Sequence, residues 1–158
     1  TRQLELRAES VIDGINFGYT LDVHNDIVII GAPAIDNHES PGHAYIFTRN
    51  GTSWTQHSEL SAPSPTDGDR FGYSVSIDGR MAVVGTHTDA ENGIFSGKSY
   101  IFQNNHENWE NIFTATATDP KALDYFGYAV GTSQNIAIIG AYGDASNSGS
   151  VYVFDFNE

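Results

Sequence analysis

The 158-residue sequence contains no cysteine, which excludes disulfide staples, thiolate metal sites and a cysteine nucleophile. Cations are scarce as well: seven Lys and Arg stand against twenty Asp and Glu, for a formal net charge of −13. A surface of that sign repels phosphate backbones and anionic membranes, so nucleic acid is not an expected partner. Long apolar runs are missing, since stretches such as "IVIIGAPAI" are too short to span a bilayer, and membrane insertion is not expected. Long helical patterns are missing too. Abundant Gly, Asn, Asp, Ser and Thr instead predict a β protein rich in turns.

What the sequence does contain is one phrase written three times. "FGYTLDVHNDIVIIG" occupies Phe17 to Gly31, "FGYSVSIDGRMAVVG" occupies Phe71 to Gly85, and "FGYAVGTSQNIAIIG" occupies Phe126 to Gly140. The period is 54 and then 55 residues, read from Phe17, Phe71 and Phe126. A second block follows each: "GHAYIF" from Gly42, "GKSYIF" from Gly97 and "GSVYVF" from Gly149. Trp54 and Trp109 each follow the second block by seven residues and open a more polar segment.

Each block reads as a strand. Phe71, Tyr73, Val75 and Ile77 alternate with small or polar residues, whereas "MAVVG", "IVIIG" and "IAIIG" are continuously apolar, as strands covered on both faces would be. Asp78-Gly79 and Asn50-Gly51 are hairpin signals, and the segment after each Trp suits an outer edge strand. The unit is a four-stranded antiparallel meander, and such sheets packed blade on blade make a β-propeller. The reading is therefore an all-β propeller with three blades per chain: residues 17–70, 71–125 and 126–158. The third lacks an outer strand. Residues 1–16 align with that strand, Leu6 matching Leu60, and are expected to complete the last blade. Three blades fall short of the usual ~4–8, so the expectation is a six-bladed homodimer or part of a longer propeller. A β-trefoil is the alternative, ranked lower because its barrel does not need doubly buried middle strands.

Phe-Gly followed by Gly31-Ala32-Pro33 resembles the FG-GAP repeat of integrin alpha-subunit propellers, and more closely its shorter bacterial-type version. The second and third repeats keep little of the Gly-Ala-Pro beyond Gly85 and Gly140-Ala141. The resemblance implies an extracellular propeller used for adhesion or recognition, sometimes as a lectin and sometimes attached to an enzyme. It also implies a calcium loop between strands one and two. Here that turn is only "DVHNDI", "SIDGRM" or "GTSQNI", without the convergent oxygens calcium needs.

In a meander the 2–3 and 4–1 connections share one end of the blade, and most acids fall there. The 2–3 loops hold Asp36, Glu39, Asp89, Glu91 and Asp144; the 4–1 loops hold Asp13, Asp67, Asp69, Asp119 and Asp124. Function tends to sit on loops carried by a rigid scaffold. Asp36, Asp89 and Asp144, one per repeat, are the candidates for a ligand or a cation such as calcium, although each also suits capping its own turn, which is the preferred reading for any one alone. Tyr142 and Phe95, in 2–3 loops, are candidates for stacking on a sugar ring. His38, His43 and His87 supply no ligand that recurs between repeats; they read as solvent-exposed loop histidines rather than a zinc site. Asn50-Gly51-Thr52 fits a glycosylation sequon, but the turn reading takes precedence.

The function expected is non-catalytic recognition or adhesion at the cell surface or in a secreted form, binding a protein partner or a second copy through loops and edge strands. The alternatives are a carbohydrate-binding lectin, and a non-catalytic domain of a larger secreted enzyme.

Overall fold

A computed structural model describes residues 3–10, 13–36 and 39–157. The first repeat forms β1 (Thr20–His24), β2 (Ile27–Ala32), β3 (His43–Asn50) and β4 (Ser53–Leu60). The second forms β5 (Ser74–Asp78), β6 (Met81–Thr86), β7 (Lys98–Asn104) and β8 (Trp109–Ala115). The third forms β9 (Phe126–Ser133), β10 (Ile136–Ala141) and β11 (Ser150–Asp155). Among the described residues every ladder between strands is antiparallel, between consecutive strands and within one repeat, giving two four-stranded sheets and one three-stranded sheet. Pairing confined to the repeat is the pattern of propeller blades and sets aside the trefoil, whose strands would join across repeats into a barrel.

Short turns set the meander. Gly51 and Gly79 adopt φ of 62° and 58° at the first of two turn residues, so the hairpins expected at Asn50-Gly51 and Asp78-Gly79 form with Asn50 and Asp78 as the last strand positions. β3 and β4 slip register between Ile46 and Phe47, and β7 and β8 do so at the equivalent Ile101 and Phe102. A bulge repeated at one place adds the same twist to each blade.

The blades pack through apolar faces. Ile29, Ala44 and Ile46 of blade 1 meet Val75, Ile77, Ala82 and Val84 of blade 2, with Phe71 and Trp109 in the same core. Met81, Val83 and Ile101 on the other face of blade 2 meet Phe126, Ala137 and Ile139 of blade 3. Burial of this apolar area is the main force holding the stack together. Polar links run beside it: the Asp22 carboxylate accepts from Ser76 Oγ and the Ile77 backbone N–H, both at 2.9 Å, and Ser76 Oγ in turn accepts from the Thr132 N–H at 3.1 Å.

The recurring glycines are explained by the crossing between blades. Gly42 bridges Phe71, and Gly97 bridges Phe126, as isolated parallel pairs. A Cβ on Gly31 would lie 2.0 Å from Gly72 O, and one on Gly85 would lie 2.0 Å from Gly127 O. Only glycine lets these two backbones approach so closely. The Phe-Gly of blades 2 and 3 is thus a plug, and the glycine within strand two and the glycine just before strand three of the preceding blade are its socket.

The continuous burial expected for the middle strands holds for β6, buried at every position, but not for β10. There one face is open: among the described residues no sheet lies against it.

Candidate functional site

The open face of blade 3 is the same surface that blades 1 and 2 bury. Ile138, Val151 and Val153 are 47%, 70% and 67% exposed, whereas the equivalent Ile29 and Val83, Ala44 and Ser99, and Ile46 and Ile101 are all 0% exposed. The socket is empty too. A Cβ on Gly140 would meet nothing closer than Ala129 O at 3.6 Å, and one on Gly149 nothing closer than Tyr142 O at 3.5 Å. A shallow groove of 350 Å³ lies here, lined by Tyr128, Gly140, Tyr142, Gly149 and Val151 among others. Exposed apolar surface of this kind makes the face a candidate interaction site.

At the other end of the chain lies the complement. Leu21 and Val23 are exposed, although the equivalent Val75 and Ile77 are buried, and a Cβ on Gly18 would meet nothing within 4 Å. Residues 3–8 form no strand; Leu6 and Ala8 pack on Ile30, Tyr45 and Phe47 of blade 1. Among the described residues no fourth strand pairs with β11, and the strand expected from residues 1–16 is not formed there.

The loop residues singled out in the sequence are dispersed among the blades. Asp36 is exposed and accepts from Asn16 Nδ2 at 3.2 Å. Asp89 is buried, caps the Glu91 N–H at 3.0 Å and lies 3.3 Å from Lys98 Nζ. Asp144 is held by Tyr152 Oη at 2.7 Å and by the Ala145 N–H, and hydrogen bonds from Ser150 and Tyr152 keep its carboxyl below the usual range. Asp89 and Asp144 thus cap their own turns, whereas Asp36 ties its loop to Asn16 ahead of β1. Among the described residues no group of three His, Cys, Asp or Glu could hold a metal ion. His38 lies outside the described residues, and His43 Nδ1 is 2.8 Å from Glu59.

Two buried electrostatic features escaped the sequence reading. Lys98, almost fully buried, reaches both Asp89 and Glu91; burial opposes its charge, yet the two carboxylates raise its pKa above the ordinary lysine value. Burial, with the Asp89 charge close by, raises the Asp69 carboxyl to about 6. His87 is not the solvent-exposed loop histidine expected: it is buried, its ring centroid 3.9 Å from that of Tyr73, and its pKa is lowered to about 4 by burial and by Arg70. The only sequence signal was that Lys98 and His87 break the pattern of their repeats.

Aromatics line the same end of the stack. Tyr73 lies between Tyr19 and Tyr128, at 5.3 Å from each, in a ladder with one rung per blade. Tyr125 stacks with Tyr142 at 4.8 Å and 7°, and with Phe95 at 5.8 Å and 26°, so the structure joins the two stacking candidates through a residue that the sequence reading passed over. Tyr142 is half exposed; the equivalent His87 is buried because a following blade covers it.

No helix among the described residues is long and apolar enough to cross a membrane. Comparison with curated proteins returns no match. Residues 54–102 and 109–154 each match the model of the FG-GAP repeat, together more than half of the sequence. With the Phe-Gly plugs and glycine sockets that they fold into, these matches place the chain in the FG-GAP repeat family.

Proposed function

We propose that this chain is a non-catalytic recognition module, secreted or displayed at the cell surface, that meets a protein partner through the open face of blade 3. FG-GAP repeats are typical of recognition and adhesion modules and are commonly extracellular. The observation that carries the reading is the exposure of Ile138, Val151 and Val153 where both other blades bury the same positions. Apolar, well-shaped and flanked by an unpaired β11 edge, this surface suits docking of another β structure.

A second reading, carbohydrate binding, is favoured by the Phe95–Tyr125–Tyr142 stack, whose outer rings present half-exposed faces to solvent. A sugar ring could lie on either face. It ranks second because Tyr142 borders the empty socket and is exposed for the same reason as Val151.

The test is a screen of the whole chain against arrays of extracellular proteins and glycans, repeated with the double variant V151D/V153D and with Tyr142→Ala. Protein binding lost in the double variant supports docking through blade 3. Glycan binding lost with Tyr142→Ala and kept in the double variant supports the second reading. Protein binding that survives V151D/V153D refutes the first.

A further inference from the structure

We infer that the loop corner where blade 2 crosses to blade 3 is a second docking surface. Its occupant is a protein segment that presents an apolar side chain flanked by Lys or Arg. The corner is built from loops between two blades of the chain, and the inference does not depend on the open face of blade 3.

Two loop segments run side by side at this corner. The Leu123 N–H donates to Ile94 O at 2.8 Å, the Tyr125 N–H to Phe95 O at 3.0 Å and the Phe126 N–H to Ser96 O at 3.0 Å. A Cβ on Gly93 would lie 3.1 Å from the Ala122 nitrogen, so the backbones are in contact. On this braced frame Ile94, Phe95 and Leu123 are 66%, 39% and 49% exposed. None of the three belongs to a blade core.

The crossing from blade 1 to blade 2 is the internal control. Counted from the Phe-Gly pair and from the glycine before strand three, Ile94, Phe95 and Leu123 correspond to Glu39, Ser40 and Gly68. The two crossings share their geometry: Asp69 accepts from the Thr66 N–H at 3.0 Å, and Asp124 accepts from the Lys121 N–H at 2.7 Å. Leu123 has a φ of 69° where Gly68 has 86°. Leucine adopts this left-handed backbone at a cost that glycine avoids, and Phe95, at a φ of 56°, carries the same cost. Strained residues of this kind cluster at functional sites. The first crossing folds without apolar side chains here, so folding does not require them. Nor does the exposure reflect an uncovered blade face, because Glu39, Thr66 and Asp67 are exposed at the first crossing as well.

The surroundings define the occupant. Phe95 stacks on Tyr125, with ring centroids 5.8 Å apart and planes at 26°, and remains partly open to solvent. A braced, partly exposed aromatic ring is the kind of anchor that dominates protein interfaces. The charge around it is negative: Asp89, Glu91, Asp119 and Asp124 stand against Lys98 and Lys121, within a chain of net charge −13. Such a field draws in a cationic segment and turns away an acidic one. Because the loops are already hydrogen-bonded in place, little ordering cost opposes binding.

The test is an immobilised array of synthetic peptides, each with a central Leu, Phe or Trp flanked by Lys and Arg, by Ser and Gly, or by Asp and Glu. The whole chain should bind the basic set best and the acidic set least, more weakly as salt is added. F95S/L123G gives the second crossing the residues of the first and should lose binding on the order of tenfold or more. Its circular dichroism should be unchanged, and Leu123→Gly alone should melt no lower than its parent, since glycine relieves the left-handed backbone. V151D/V153D should bind the peptides as the parent does. Silence of the whole array, equal binding of basic and acidic sets, or binding that survives F95S/L123G overturns the inference. So does a melting point lowered by Leu123→Gly, which would give that side chain a packing role. Binding lost in V151D/V153D and kept in F95S/L123G overturns it while leaving the blade 3 reading in place. Glycan binding lost in F95S/L123G assigns the corner to a sugar and overturns it too.

Discussion

The same motif glycine occurs at a closed and at an open position, which makes a paired substitution informative. Gly85→Ala places a Cβ 2.0 Å from Gly127 O, while Gly140→Ala places one 3.6 Å from its nearest neighbour. An ordinary carbon–oxygen contact is ~3.3 Å or more, so the Phe126-Gly127 crossing must retreat by over ~1 Å. That crossing is pinned by the bridge to Gly97 and by the Phe126 N–H donating to Ser96 O at 3.0 Å, so it yields poorly. Neither Gly85 nor Gly140 has a positive φ, and backbone strain does not enter. Overpacking costs ~1–3 kcal/mol and at times more; two backbones in contact put Gly85→Ala at the upper end, about 3 kcal/mol or a melting point lower by roughly 6–12 °C. Gly140→Ala should fall within about 0.5 kcal/mol of its parent. Urea denaturation of each single variant against the unsubstituted chain reads the difference. Equal losses at the two positions would refute the plug-and-socket account of the repeat.

The buried titrating groups give predictions of opposite sign. Asp69, raised to about 6, costs stability while charged, so the chain regains it as pH falls from 6 towards 4. Asp69→Asn keeps an acceptor for the Thr66 N–H and should stabilise by about 1–2 kcal/mol at pH 8 after solvent screening, with the gain fading by pH 4 in urea titrations. His87, lowered to about 4, is stable only while neutral; its contribution is complete above pH 6.5 and lost as pH falls towards 4. His87→Phe should therefore flatten the acid limb that Asp69→Asn steepens. Lys98→Ala strands Asp89 in a buried site and should cost ~3–5 kcal/mol at pH 8, a loss that shrinks in acid and is read from the same denaturation curves.

Much of the architecture was legible in the sequence because repetition multiplies a weak signal. Period-two alternation in "FGYSVSI", a continuous apolar run in "MAVVG" and glycines at fixed intervals recur in register, and each recurrence restricts the strand reading of the others. The repeats also aligned Leu6 with Leu60, a correspondence that reappears in the packing of residues 3–8 on blade 1. The loop acids were less legible. Asp36, Asp89 and Asp144 occupy matching positions, but hydrogen bonding in turns is set by local backbone geometry, and each found a different partner. Lys98 opens β7 at the far end of the connection that holds Asp89, and Asp69 meets Asp89 from the loop before β5, a proximity that only the packed loops bring about.

The exposed face of blade 3 shows the division most clearly. Ile138, Val151 and Val153 have the chemistry of Ile29, Ala44 and Ile46, and the sequence alone determined that they belong to strands with an apolar face. Whether that face is covered depends on which sheet lies against it. Burial is a relation between distant parts of a chain, or between chains, and only the tertiary structure decided that the first two faces are closed and the third is open.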